Sequence, residues 1–281
     1  MDNKREVELV VISDLHLGTP GCQAEELLKY LKSIRPKTLV LNGDIIDIWQ
    51  FKKRYFPKTH LKVIKHLIGL ASEHCNVYYI TGNHDEMFRK FNGLKLGKLL
   101  IINDLKLDLD GKKVWFFHGD VFDVVMQYSK WLSKIGAIGY DSLIWLNTKV
   151  NWIGDKLKFE PVSFAKKIKQ SVKGAVKFIN SFEDTAAALA ISKGIQYVIC
   201  GHIHQPAMRN ITVGSHKVEY LNSGDWIENL TSLEYNNKEW RIFYYRKDFI
   251  DQKEIEEADI EKTIDAELNV LFKNMLYEFQ H

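Results

Sequence analysis

Five short apolar runs end in the same kinds of residue, and that repetition limits the fold more than any other feature of the chain. Residues 38–41 read as a buried strand, after which the chain turns at Asn42-Gly43 and delivers Asp44. Four other strand-like runs stop at Ser13-Asp14-Leu15-His16, Gly82-Asn83-His84-Asp85, His118-Gly119-Asp120 and Gly201-His202-Ile203-His204. Residues 7–12 are nearly all apolar, as in a strand covered on both faces. Helical spacing follows over 23–34, with Leu27, Leu28, Leu31 and Ile34 on one side and Pro36 as the stop. A second helix is predicted over 60–72 and another strand over 76–81. Alternating strands and helices are the pattern of βαβ units. Open α/β sheets carry their chemistry at the C-terminal ends of such strands.

After residue 98 the pattern changes. Residues 99–102, 105–109 and 114–117 are short strand candidates, the last two joined by an Asp110-Gly111 hairpin turn. Residues 208–213, 218–221, 230–235 and 239–246 follow, with a turn at Asn236-Asn237. This half reads as a mixed or antiparallel sheet. Two facing sheets with helices outside would bury both sets of strands. The expected class is therefore α/β of the α+β type, a two-sheet β-sandwich flanked by helices. From 250 onward, Ile255, Ile260, Ile264, Leu268 and Leu271 predict one long amphipathic C-terminal helix.

Residues 121–194 interrupt the sheet pattern and divide the expected organisation into a core, 1–120 with 195–281, and a helical insertion. Trp131, Trp145, Trp152, Phe159, Phe164 and Phe178 make the insertion aromatic. Residues 121–180 carry a net charge of +6, against −3 for the remainder. Lys169, Lys173 and Lys177 share one helical face, and Phe164, Ile168, Val172, Val176 and Ile179 share another. Such a segment is either an ordinary amphipathic helix with a solvated basic side or a basic, greasy cap. A cap would suit an anionic substrate with an apolar tail, or a membrane surface.

Composition excludes several classes. The overall charge of +3 is too mild to imply nucleic acid. Cys22, Cys75 and Cys200 form no CxxC and fit a reducing compartment. The N-terminus has no apolar signal region, and no run approaches the roughly 18 apolar residues of a membrane span. A cytoplasmic protein is expected, with surface attachment to membrane left open.

Each strand-end motif has a bland explanation when taken alone. Asp14-x-His16 and Asn83-His84-Asp85 are acceptable turns, and His118 is acceptable as a core histidine. His202-x-His204 beside Gly201 is harder to explain by packing. No structural need places Asp14, His16, Asp44, Asn83, His118, His202 and His204 at five separate strand ends, and the joint pattern points to metal. Without a thiolate, soft-metal and structural zinc sites are unfavourable, and Mn²⁺, Fe²⁺ or Zn²⁺ suits the set. Seven ligands fit two ions, with Asp44 as the shared bridge. A bridged pair sits about 3.5–4 Å apart, and a hydroxide between the ions is a nucleophile at neutral pH.

Asp-x-His, Gly-Asp-x-x-Asp, Gly-Asn-His-Asp, His-Gly-Asp and Gly-His-x-His, in that order over residues 7–225, resemble the calcineurin-like metallophosphoesterase superfamily. The resemblance implies that Asp14, His16, Asp44 and His204 hold a first ion. It implies that Asp44, Asn83, His118 and His202 hold a second. His84 would be catalytic, stabilising phosphoryl charge or protonating the leaving oxygen. Asp47 and Asp85 would orient the histidines. His-Gly-Asp, Trp49 and the helical insertion further resemble the UDP-2,3-diacylglucosamine diphosphatases of lipid A biosynthesis. That branch implies Mn²⁺-dependent hydrolysis to UMP and 2,3-diacylglucosamine 1-phosphate, and peripheral contact with the inner membrane surface stays open. His84 stands where members of that branch often carry Arg. Hydrolysis of nucleotides or another phosphate ester, and a non-catalytic scaffold, are the alternatives.

Overall fold

Residues 114–117 show how the layers are set. Val114 and Phe116 pack into one apolar cluster with Leu9, Val11, Val40, Ile80, Ile199 and Leu221. Trp115 and Phe117 pack into another with Phe182, Ala186, Ala190, Val198 and Cys200. Successive side chains of a strand point to opposite faces. A strand apolar at every position must therefore be covered on both sides. All four residues are fully buried, each worth about 1.5–3 kcal/mol.

The computed structural model describes residues 4–48, 55–123 and 172–250. In chain order these contain β1 (Arg5–Ile12), α1 (Ala24–Ser33), β2 (Ile34–Asn42), α2 (Lys58–Ser72), β3 (Asn76–Ile80), a 3₁₀ turn (Glu86–Phe91), β4 (Lys95–Leu96), β5 (Leu99–Ile102), β6 (Asp104–Leu109) and β7 (Lys112–Phe117). α3 (Val172–Ser192), β8 (Tyr197–Cys200), β9 (Ala207–Val213), β10 (His216–Asn222), β11 (Thr231–Asn236) and β12 (Glu239–Tyr244) follow.

The strands make a seven-stranded sheet, β12-β11-β1-β2-β3-β5-β4, and a five-stranded sheet, β6-β7-β8-β10-β9. β1, β2 and β3 are parallel neighbours, as are β7, β8 and β10. α1 and α2 cover β2 and β3, and α3 covers β8 to β10. The expected two-sheet sandwich with helices outside is the architecture observed. The partition of strands differs. β5 pairs in parallel with β3, and β11 returns antiparallel to β1. Both belong to the first sheet rather than to a separate C-terminal sheet. Residue patterning identifies a strand but not its partner, so the sheets could not be assigned from order alone.

Within the segment 121–194, residues 124–171 lie outside the described residues, including Trp131, Trp145, Trp152, Phe159 and Phe164. Its last part is α3, whose Phe182, Ala186, Ala187, Leu189 and Ala190 are core residues against the second sheet. From Phe243 onward the chain belongs to a second compact unit. The described part of that unit includes a π-helical turn, Tyr245–Ile250, and the helix expected beyond residue 250 lies outside the described residues. No described helix is long and apolar enough to cross a membrane.

A buried carboxylate ties strands of the first sheet together. Glu234 on β11 accepts hydrogen bonds from Arg5 (2.8 and 3.1 Å), Tyr30 (2.9 Å) and Arg241 (2.5 and 2.9 Å). Burial pushes its pKa up, but Arg5 and Arg241 outweigh burial and hold it below the usual range. A lowered folded-state pKa gives stability that is present above the unfolded value, near 4.3, and is lost as pH falls through the folded one. Glu234→Gln should therefore cost about 1–3 kcal/mol at neutral pH. Urea unfolding at stepwise lower pH should show wild type and variant converging below about pH 4. A gap independent of pH would show that charge is not what the site uses.

Candidate metal centre

The parallel strands of both sheets run toward one edge of the sandwich, so their C-terminal loops meet there. β1 delivers Asp14 and His16, β2 delivers Asp44 and Asp47, and β3 delivers Asn83, His84 and Asp85. The second sheet delivers His118 from β7 and the pair His202 and His204 from β8. Neighbouring loops are stitched together within each sheet. Asp14 donates its N–H to Gly43 O at 3.0 Å, His16 to Asp44 O at 2.9 Å and Gly201 to His118 O at 3.0 Å. Bonds also cross between the sheets, among them the one from the His202 N–H to Asp14 Oδ2 at 3.0 Å.

Three groups of donor atoms lie within 4.8 Å of one another: Asp14, His16 and His204; His16, Asp44 and His84; and Asp44, His118 and His202. His16 and Asp44 are each shared by two groups. Nε2 of His204 lies 3.2 Å from Asp14 Oδ1, and Nε2 of His118 lies 3.2 Å from Asp44 Oδ2. Yet Asp14 Oδ1 and His118 Nε2 are buried and make no well-aligned hydrogen bond. Such close contacts gather carboxylate and imidazole atoms without satisfying them. A buried unsatisfied polar atom costs about 1–3 kcal/mol. Imidazoles and carboxylates without a thiolate are suitable donors for a divalent cation. The residues present thus fit divalent metal ions.

The loops hold these side chains in unusual backbone conformations. Asp14, His16, Asp44, His202 and His204 have φ of +53°, +49°, +54°, +69° and +55°. Each such residue costs roughly 1–3 kcal/mol and persists where the surroundings over-determine it. Two glycines explain why the groups can approach so closely. A Cβ on Gly82 would collide with Asp44 Oδ1, and one on Gly43 would collide with the His118 ring.

Outer contacts fix the rings. His118 Nδ1 sits 2.9 Å from Asn42 O, which turns Nε2 toward Asp44. Asp47 Oδ2 lies 3.1 Å from His84 Nδ1 and 3.6 Å from His16 Nδ1. Asp85 takes a different part. It accepts from the N–H of Gly82 (2.6 Å) and of Ile45 (2.9 Å) and from Tyr79 OH (2.6 Å), so it holds the backbone on either side of Asp44 rather than a histidine ring. Asp123, to which the residue pattern drew no attention, lies 2.8 Å from His202 Nε2. Asp120 pairs with Arg89 at 2.7 Å. No motif spacing links either pair, since the partners come from distant parts of the chain.

A model of calcineurin-like phosphoesterases matches residues 7–206. The chain belongs to the calcineurin-like phosphoesterase family. It is 22% identical over 254 residues to a UDP-2,3-diacylglucosamine hydrolase of Aliivibrio fischeri, covering 86% of this chain and 99% of that protein. It is 25% identical over 222 residues to the protein of the same name from Aeromonas salmonicida, covering 77% and 85%. Among solved structures, a novel archaeal phosphodiesterase aligns with a TM-score of 0.42 and 14% identity, over 84% of this chain and 98% of that one. As a calcineurin-like phosphoesterase, the chain is a metal-dependent hydrolase.

In this phosphoesterase, carboxylates and imidazoles shift one another at the centre. Burial pushes the Asp44 pKa up, but His118 outweighs it and holds the carboxyl well below its usual range. Burial pushes His118 down, and Asp44 and Asp14 raise it well above the usual imidazole value. Burial also works against His202 and His204, yet Asp123 raises the former and Asp14 lifts the latter to about 9. Each upward shift favours the protonated imidazole, so an arriving cation competes with protons for these rings. Titrating Mn²⁺ into metal-free protein should show proton release, and affinity should rise as pH goes from about 6 to about 9. Calorimetry in buffers of different ionisation heat measures both, and a pH-independent affinity would mean that these imidazoles release no protons on binding.

Proposed function

We propose that this phosphoesterase hydrolyses UDP-2,3-diacylglucosamine to UMP and 2,3-diacylglucosamine 1-phosphate, a step of lipid A biosynthesis, with two Mn²⁺ ions. One observation carries the substrate assignment: the similarity to UDP-2,3-diacylglucosamine hydrolases runs nearly end to end, covering 99% of the Aliivibrio protein. In this reading Asp14, His16, Asp44 and His204 hold the first ion. Asp44, Asn83, His118 and His202 hold the second. Once bound, the ions supply a nucleophilic water at neutral pH and neutralise phosphoryl charge. Asp44 belongs to both ligand sets. Its carbonyl accepts the His16 N–H and its carboxylate accepts the His84 N–H.

His84 is the catalytic residue of this reading. Its Nδ1 is engaged by Asp47 at 3.1 Å, which leaves Nε2 to meet the substrate and to protonate the leaving oxygen. Its side chain is partly exposed, whereas His118 is fully buried. The aromatic and basic residues of the segment 121–194 would hold the acyl chains and phosphates. The same segment would rest on the inner membrane surface from the cytoplasmic side. The presence of His84 rather than Arg favours one second reading, hydrolysis of nucleotides or another phosphate ester on the same centre.

An assay comparing UDP-2,3-diacylglucosamine with a generic aryl phosphodiester in Mn²⁺ tests the substrate. The lipid nucleotide should be preferred, and equal turnover would favour the second reading. His118→Ala should lose bound metal and nearly all turnover, and near-normal activity would defeat the ligand assignment. His84→Ala should keep its metal content and lose about 10²- to 10⁴-fold in turnover. Loss of metal in that variant would make His84 a ligand instead.

A further inference from the structure

The loop that follows β10 has no part in the motifs above and lies beyond the residues matched by the family model, which end at 206. It starts at the same edge of the sandwich, because β10 runs parallel to β8. It also crosses from the second sheet to the first, since β11 pairs with β1. On the way it makes bonds to both loops that carry Asp14 and His204.

On the second-sheet side, the Asn229 amide donates to His204 O at 2.8 Å. The Asn222 amide donates to Gly201 O at 2.9 Å. The same Gly201 carbonyl accepts the Ile203 N–H at 2.8 Å, so Asn222 grips the start of the turn that presents the two histidines. On the first-sheet side, Trp226 donates its N–H to Asp14 O at 3.2 Å, and Ser223 Oγ lies 2.7 Å from Ser13 Oγ. The loop is itself rigidly built. Asp225 is fully buried, and its Oδ1 accepts from the N–H groups of Ile227 (2.8 Å) and Glu228 (2.6 Å). Its Oδ2 accepts from the same Asn229 amide at 2.5 Å.

We infer that residues 222–229 are a brace that sets the separation of Asp14 and His204 across the two sheets, with Asn229 as its principal positioning residue. This rests on the two-ion reading proposed above. Asp14 and His204 come from different sheets, and neither sheet alone fixes the distance between them. The direct link from His202 N–H to Asp14 Oδ2 anchors position 202 but leaves position 204 to be held separately. Asn229 holds His204 by its carbonyl, and Asp225 holds Asn229. Among the described residues, no bond runs from the Asn229 side chain to Asp44, His118 or His202. Loss of that side chain should therefore weaken the first ion and spare the second.

The test uses full-length protein, with Asn229→Ala and the isosteric Asn229→Asp, which lacks the amide donor. Mn²⁺ per chain is measured by elemental analysis at defined free Mn²⁺, and coupling between ions by electron paramagnetic resonance. First-ion affinity should fall about 10- to 100-fold, the range for removing an outer partner of a ligand. At Mn²⁺ levels that fill both wild-type positions, the variants should hold one ion and lose the signal of a coupled pair. Excess Mn²⁺ should restore it. Retention of both ions at wild-type affinity would overturn the inference. So would parallel loss of both ions, or failure of both variants to fold, since either would make the loop a general support. Wild-type protein that takes up no ion would overturn the two-ion reading itself.

Discussion

Buried carboxylates need positive charge close by, and that constraint organises one whole edge of this molecule. Asp14, Asp44, Asp47 and Asp85 are all almost fully buried. Taking an ionised carboxylate out of water costs several kcal/mol unless it is paired and hydrogen-bonded. For Asp14, Asp44 and Asp47 the pairing comes from imidazoles, whereas Asp85 is held by Tyr79 and two backbone N–H groups. Among these four, only Asp85 is pushed upward, by burial and by Asp44, although Tyr79 and two N–H groups counter the shift. A divalent cation answers the same need with more charge and is what the family's chemistry employs.

The sandwich supplies what isolated loops cannot. Loops that present left-handed Asp and His residues would relax on their own. They are held because parallel strands from two sheets end side by side, and because the central strands are anchored by apolar residues. Phe116 and Ile199 lock the inner face of the second sheet, and Phe117 and Cys200 lock its outer one. Rigid strands thus sustain the strain of the loops, as expected where geometry must be preset for chemistry.

The centre and its supports also divide the work. The donors grouped around Asp14 and Asp44 stand within a few positions of the strand ends, and each ring is oriented by a group from a different loop than its own. Asn42 O, Asp47 and Asp123 each touch a histidine ring. The loop after β10 grips the backbone of the histidine loop rather than its rings. Removing a support is therefore expected to alter affinity at one position, whereas removing a ligand alters the reaction itself.

Much of this architecture was legible without coordinates. Apolar runs marked most of the strands, helical spacing marked α1 and α2, and the strand ends carried the Asp and His residues that meet in space. The exchange of β5 and β11 into the first sheet was not legible, because pairing depends on which strand edge is open. Asp85 was expected beside a histidine and instead holds Gly82 and Ile45, since only the folded loops settle which donors lie within reach. Asp123, Asp225 and Asn229 carry no motif at all. Which chemical groups are present, and at which strand ends they stand, follows from residue order, because those signals are local. Their distances and their supports come from the folded sandwich, because they depend on two sheets brought face to face by contacts between residues far apart in the chain.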